Sequence, residues 1–156
     1  PYESRTQLMD EIRAMNHMLV PKGLCMLPVR CEGGSALLYV YRPGRLQQDL
    51  QNDLAQRLLQ KAGYSRGGCA LCVSQLVQRL RRQEDFPHEI GLFLGYPPGD
   101  VCGFMEGRAC KCIGCWKVYT DEAGAKHKFD QYRKCTRIYR AAWAKGTDIE
   151  RLAVAD

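Results

Sequence analysis

Ile90-Gly-Leu-Phe-Leu94, set between His88-Glu89 and Gly95-Tyr96-Pro97-Pro98, is the stretch on which the fold turns. It is a short apolar run without alternation, closed by a Gly-Tyr-Pro-Pro stop. That is the pattern of a strand buried on both faces, and it makes the run the expected central strand of a sheet.

Upstream, residues 69–82 read as a helix with Val73, Leu76, Val77 and Leu80 inward. Arg79, Arg81 and Arg82 sit at its C-terminal end, where cations favour the dipole. Before it, Leu46, Leu50, Leu54 and Leu58 mark another helical face, stopped by Gly63. Residues 24–30 and 36–42 read as two strands joined through Glu32-Gly33-Gly34-Ser35, and Pro28 places the first at an edge or at a bulge. A first helix starts at Ser4 with Gln7 three residues on, follows Leu8, Ile12, Met15 and Leu19, and ends at Pro21 and Gly23.

Downstream, Pro98 opens a short helix to about residue 106, residues 115–120 form a further strand, and residues 121–145 a long helix. On that helix Phe129, Tyr132, Thr136, Tyr139 and Trp143 recur at alternating spacings of 3 and 4, a broad aromatic face for the core. Thr147 with Glu150 caps a final short helix. The order of elements predicts one α/β or α+β domain over 1–156, a small mixed sheet of about four strands packed with several helices. No glycine-rich phosphate loop follows a strand, so there is no nucleotide fingerprint.

Composition sets the outer bounds. A chain of 156 residues, 46% hydrophobic and 26% charged, is one ordinary globular domain. No apolar run approaches the roughly 18–20 residues of a membrane span, and the charged start carries no signal-peptide core. A cytoplasmic location without membrane partners is therefore expected. A start at Pro1 rather than Met leaves room for an upstream segment. The nine cysteines are odd in number and unevenly spread, which argues against a disulfide scaffold and leaves core packing, reactive thiols or metal ligation. The net charge of +6 is a mild bias toward acidic partners, short of a nucleic-acid signature by itself.

Four segments carry a family resemblance: Ala36-Leu-Leu-Tyr-Val-Tyr-Arg-Pro43, Phe86 through Val101, Gly114-Cys-Trp-Lys-Val-Tyr119, and Phe129 to Tyr139 with its Lys-Cys-Thr centre. Together they resemble the domain-of-unknown-function family 3793, found mostly in anaerobic Firmicutes and their neighbours, over nearly the whole chain. The resemblance implies a bacterial cytosolic protein and brings no activity, substrate or cofactor with it. It also implies a segment upstream of position 1, with a cysteine, that this chain lacks.

The densest chemical constellation is Cys110-Lys-Cys112-Ile-Gly-Cys115, with Cys102 eight residues before it. Three thiols in six residues can converge on one soft metal, and Gly114 allows the tight turn that brings Cys112 and Cys115 to one side. Zinc or an iron–sulfur cluster wants a fourth ligand, taken here as Cys102, with Cys135, Cys69, Cys72 or His88 as alternatives. Against this stands the commoner role of cysteine as a buried, small apolar side chain. Cys69-Ala-Leu-Cys72 is formally a dithiol pair, but it shares a helical stripe with Leu76 and Leu80 and reads as core. Cys135, with Ile138 and Ala142, reads as core too.

His88-Glu89 stands near the Gly95–Asp100 turn, where a pocket could form at the end of the sheet. A structural pair is the plainer reading, and a cysteine-dependent enzyme would need the fold to bring a nucleophile to His88. Lys126, Arg133, Arg137 and Arg140 make a partial basic stripe on the last long helix, a candidate for phosphates or for solvent alone. The leading expectation is a thiol-rich metal-binding module, the second a protein or nucleic-acid interaction module using the basic helix, and the third a cysteine enzyme.

Overall fold

The computed structural model describes residues 2, 4–82 and 85–155, so the two ends of the expected 1–156 domain, Pro1 and Asp156, lie outside the described residues. Helix α1 (Arg5–Leu19) begins where Ser4 Oγ accepts from Gln7 N at 3.1 Å. The Gln7 side chain donates onward to Glu11 instead of returning to Ser4, so only half of the capping box forms. A 3-10 turn (Val20–Lys22) and Gly23, at φ 74°, close the helix.

Strands β1 (Cys25–Glu32) and β2 (Ser35–Tyr41) form the expected hairpin. Its two-residue loop, Gly33-Gly34, has φ of 56° and 75°, the positive values that match a turn to the strands' twist. The register shifts between Pro28 and Arg30, a bulge where the proline has no N–H to donate. Helix α4 (Cys69–Arg82) supplies the missing partners: Arg81 donates to Val29 O at 2.9 Å and to Pro28 O at 3.3 Å. At the opposite end of β1, Asn16 of α1 exchanges two 2.9 Å bonds with the Met26 backbone and stands in for a neighbouring strand.

Between hairpin and α4 come α2 (Pro43–Leu50) and α3 (Asp53–Lys61). The leucine row read as one helix is broken at Asn52, whose Oδ1 accepts from Leu54 N and Ala55 N and caps α3. Leu46, Leu50 and Leu58 are nevertheless all buried, in one core with Val29, Tyr39, Val73 and Leu76.

The expected central strand is a helix. Ile90–Phe93 forms α5, a single turn whose backbone is satisfied locally: Ile90 N donates to Pro87 O, and Tyr96 N returns to Gly91 O around Gly95 at φ 73°. Burial of Gly91, Leu92 and Phe93 agrees with the apolar run, which alone cannot separate a buried strand from a buried helical turn. No strand pairs with it among the described residues, and it meets β2 through the Tyr39 hydroxyl, which donates to Phe93 O at 2.6 Å. Helix α6 (Pro98–Met105) packs on α5 and on α3, and the remaining strands, β3 (Cys112–Ile113) and β4 (Lys117–Val118), pair only with each other. The chain is therefore α+β, rich in helix, with two separate two-stranded antiparallel sheets in place of one mixed four-stranded sheet.

Helix α7 (Glu122–Ala144) starts at Asp121, which caps Gly124 N, and buries Ala125 and Phe129 against Trp116 and Val118 in a second, smaller core bordered by Tyr96. Beyond that its aromatic face is largely exposed, contrary to the expected core role: Tyr132, which still meets the Trp116 ring edge-on at 6.5 Å, Tyr139 and Trp143 are 45%, 43% and 63% exposed. Cys135 and Ile138 are exposed too. Helix α8 (Ile149–Leu152) is preceded by Asp148 at the cap position rather than Thr147, and the helix and the residues after it are tied back where Lys22 donates to Glu150 O and Arg42 to Val154 O. No helix among the described residues is long and apolar enough to cross a membrane.

Candidate functional site

Asp100 organises the junction between the two cores. It lies in the first turn of α6, buried to 2% exposure, and its carboxylate accepts four bonds of 2.8 Å, from Trp116 Nε1, Tyr119 N, Thr120 N and Thr120 Oγ1. Burial by itself would raise its pKa. The bonds from Tyr119, Thr120 and Trp116 outweigh burial and hold the carboxyl below its ordinary value. The β4 end and the Trp116 ring are thereby pinned to α6, and Trp116 stacks on Tyr96 at 5.1 Å.

This pinning shapes a cleft of about 480 Å³ between the approach to α5, helix α6 and strand β4. Its floor is Ile90, Gly91, Val101 and Trp116. A side chain at Gly91 would meet Val101 at 2.8 Å and Tyr96 at 3.0 Å, so the close approach of α5 and α6 needs glycine there. Around the mouth stand Phe86 and Phe104, 52% and 40% exposed, with His88 edge-on to Phe104 at 5.1 Å. Lys117 Nζ lies 5.3 Å from the Phe104 ring centroid, and no carboxylate pairs with it among the described residues. Asp85 completes the rim. The result is an apolar trough with aromatic walls and, on its rim, one ammonium group, one imidazole and the Asp85 carboxylate, a combination that could hold an organic molecule whose anionic group lies on the Lys117 side, away from Asp85.

The His88-Glu89 pair separates. Glu89 turns inward, is 5% exposed and faces Arg79 at 3.5 Å, while His88 stays on the cleft rim. The described lining of the cleft contains no cysteine, serine or threonine, so the cysteine nucleophile that the third expectation required is not brought to His88 there.

The four thiols expected to share a metal are not brought together. Cys102, on α6, bonds to Glu106 at 3.4 Å and packs against the larger core. Cys110 lies near Tyr119, Cys112 packs beside Trp116 with Lys126 nearby, and Cys115 is exposed beside Tyr96. Among the described residues no group of three or more His, Cys, Asp and Glu side chains is placed to hold a metal ion. Gly114 has a different use from the one expected: a Cβ there would come within 2.2 Å of the Phe129 ring, so its bareness makes room for α7.

Cys69 and Cys72 line a second cleft of about 460 Å³ with Gln47, Gln51 and Gln60. Burial pushes both thiols' pKa up, aided at Cys69 by the charge of Cys72, the opposite of an activated redox pair. The basic stripe is divided as well. Lys126 pairs with Glu122 at 2.6 Å and Arg133 with Asp130, whereas Arg137 and Arg140 have no ionic partner among the described residues.

Phe104, Trp116, Lys117 and Asp100 are the site residues that sequence reasoning did not assign. The available signal was Asp100, Val101 and Phe104 at i, i+1 and i+4, one face of α6 directly after the Tyr-Pro-Pro turn.

Fold and site together define a small α+β domain with a preformed aromatic cleft at the seam of two cores. The model of the family described as "Protein of unknown function (DUF3793)" matches residues 3–153, and the chain belongs to that family. Comparison with curated proteins and with solved structures gave no match.

Proposed function

We propose that the protein is a binding module for a small aromatic or partly apolar molecule carrying an anionic group, seated in the Phe86/Phe104/Trp116 cleft with its charge toward Lys117 and His88. The observation that carries this reading is a trough of about 480 Å³, a size within the range of small-molecule sites, lined by two exposed phenylalanines and by Lys117, which lies over the Phe104 ring and has no carboxylate partner among the described residues. Exposed rings turned into a concavity lose water only when something fills it.

A thiol-rich zinc or iron–sulfur module has less support, because its four cysteines face different neighbours. A cysteine enzyme centred on His88 has less support too, because no thiol stands among the described residues of the cleft lining.

The test uses anilinonaphthalene sulfonate, a planar aromatic anion, in a Trp143→Phe background so that Trp116 is the internal reporter. Saturable binding at one site is expected, with energy transfer from tryptophan. Phe104→Ala and Lys117→Ala should each weaken it about tenfold while the far-ultraviolet circular dichroism stays unchanged, a loss equal to about 1.4 kcal/mol. Dye binding indifferent to both substitutions would rule the cleft out.

A further inference from the structure

The second half of α7 combines features that the cleft does not use. From Gln131 to Thr147 the chain carries Arg133, Lys134, Arg137, Arg140 and Lys145 and not one carboxylate. Every residue from Asp130 to Ala141 is exposed. Tyr132, Tyr139 and Trp143 fall at i, i+7 and i+11 on one helical stripe, and Arg133, Arg137 and Arg140 at i, i+4 and i+7 on the next. An aromatic row, touched at its start where Tyr132 meets Trp116, therefore runs beside a cationic row. From Tyr132 to Trp143 the aromatic row is about 16 Å long at 1.5 Å per residue.

The geometry points to this half of α7 as a docking surface for single-stranded nucleic acid, with Arg137 and Arg140 on phosphates and Tyr139 and Trp143 stacked on unpaired bases. The length suits about five nucleotides at 3.4 Å each. Flat rings offered to solvent beside a line of cations are the elements of sequence-tolerant single-strand binding. A duplex hides its base faces and would leave the rings idle. A second copy laid against the same stripe would set the arginine rows of the two chains side by side, a like-charge arrangement that opposes pairing. Arg133, already paired with Asp130, is the least available of the three arginines.

The chain's two tryptophans separate this surface from the cleft, since Trp116 is 7% exposed and lines the cleft whereas Trp143 stands on α7. The experiment titrates the full chain into fluorescein-labelled 12-nucleotide single strands, one RNA and one DNA, by anisotropy from 50 to 200 mM salt, with tryptophan emission read in parallel.

Binding that weakens with salt is expected, with quenching that disappears in Trp143→Phe. Arg137→Gln/Arg140→Gln should bind about tenfold more weakly and lower the salt slope by about 1.4, two contacts at about 0.7 each. Lys117→Ala should bind the strands like the parent, because the cleft is elsewhere. Any of four results overturns the proposal: no binding at 50 mM salt, an unchanged double variant, quenching that survives in Trp143→Phe, or displacement of the strand by equal charge of polyglutamate. The last would assign the surface to an acidic protein partner.

Discussion

The two halves of α7 share one aromatic spacing and differ in what lies opposite. Phe129 packs edge-on to Trp116 at 4.6 Å and is 4% exposed, while Trp143, four turns on, is 63% exposed. Periodicity names the apolar side of a helix. Whether that side is buried depends on the length of the element facing it, and here β3 and β4 are two residues each. The first half of α7 is thus architecture, and the second half is surface with the composition of a core.

The largest effect that separates the halves is on stability. Phe129→Ala should cost about 3–5 kcal/mol, the range for truncating a buried phenylalanine. Tyr139→Ala should stay within about 0.5 kcal/mol, as for an exposed position. Urea denaturation of the two variants measures both. A cost at Tyr139 approaching that at Phe129 would mean that the second half is covered in solution, and it would remove the ground for a docking surface there. Gly114→Ala should behave as a milder Phe129 substitution, costing about 1–3 kcal/mol, because the added methyl collides with that ring.

Next in size is the clamp that joins the first half of α7 to the body. Asp100→Asn keeps the shape but removes the charge that four donors address, at an expected cost of about 2–3 kcal/mol. The sign of its pH dependence follows from the lowered pKa. A group with a folded pKa below its unfolded one contributes fully above the unfolded value, and the contribution is lost as pH falls through the folded value. The difference in stability between parent and Asp100→Asn should therefore be constant above about pH 5 and shrink below about pH 4. A gap that holds steady into acid would show that the carboxylate's charge is not what the Trp116 and Thr120 donors use.

Local signals in the sequence were legible where local chemistry decides. Ser4 caps α1 through a bond to Gln7 N, Gly33-Gly34 turns the hairpin through its own positive φ angles, and Pro28 sits at the register shift because its own ring removes the N–H. The readings that fail depend on partners distant in the chain. Ile90–Phe93 is buried as expected, but a buried run becomes a strand only when another strand pairs with it, and none does among the described residues. The cleft was half visible: the neighbourhood of His88 and the Tyr-Pro-Pro turn could be named, but Lys117 and Trp116 arrive from beyond the cysteine loop, carried by the Asp100 clamp. Cysteine spacing decides little by itself for a related reason. The loop between β3 and β4 turns Cys112 toward Phe129's core and Cys115 toward solvent, and proximity in sequence says nothing about that divergence.

The smallest perturbation, alkylation without any substitution, sharpens the same contrast between covered and uncovered surface. Under native conditions a maleimide should modify Cys115 and Cys135 first, since these two cysteines are exposed. Cys72, which is buried and has its thiol pKa raised by that burial, should react last, with Cys69 slowed for the same reason. Peptide mapping by mass spectrometry reads the order directly. Fast labelling of Cys135 places the middle of α7 in solvent and supports the free second half; slow labelling there would mean that a partner or a second copy already covers it. Slow labelling of Cys110, Cys112 and Cys115 as a group on protein purified without air, relieved by a chelator, would show those thiols held together on a metal, and the aromatic cleft would then have to share its claim to function with the cysteine loop.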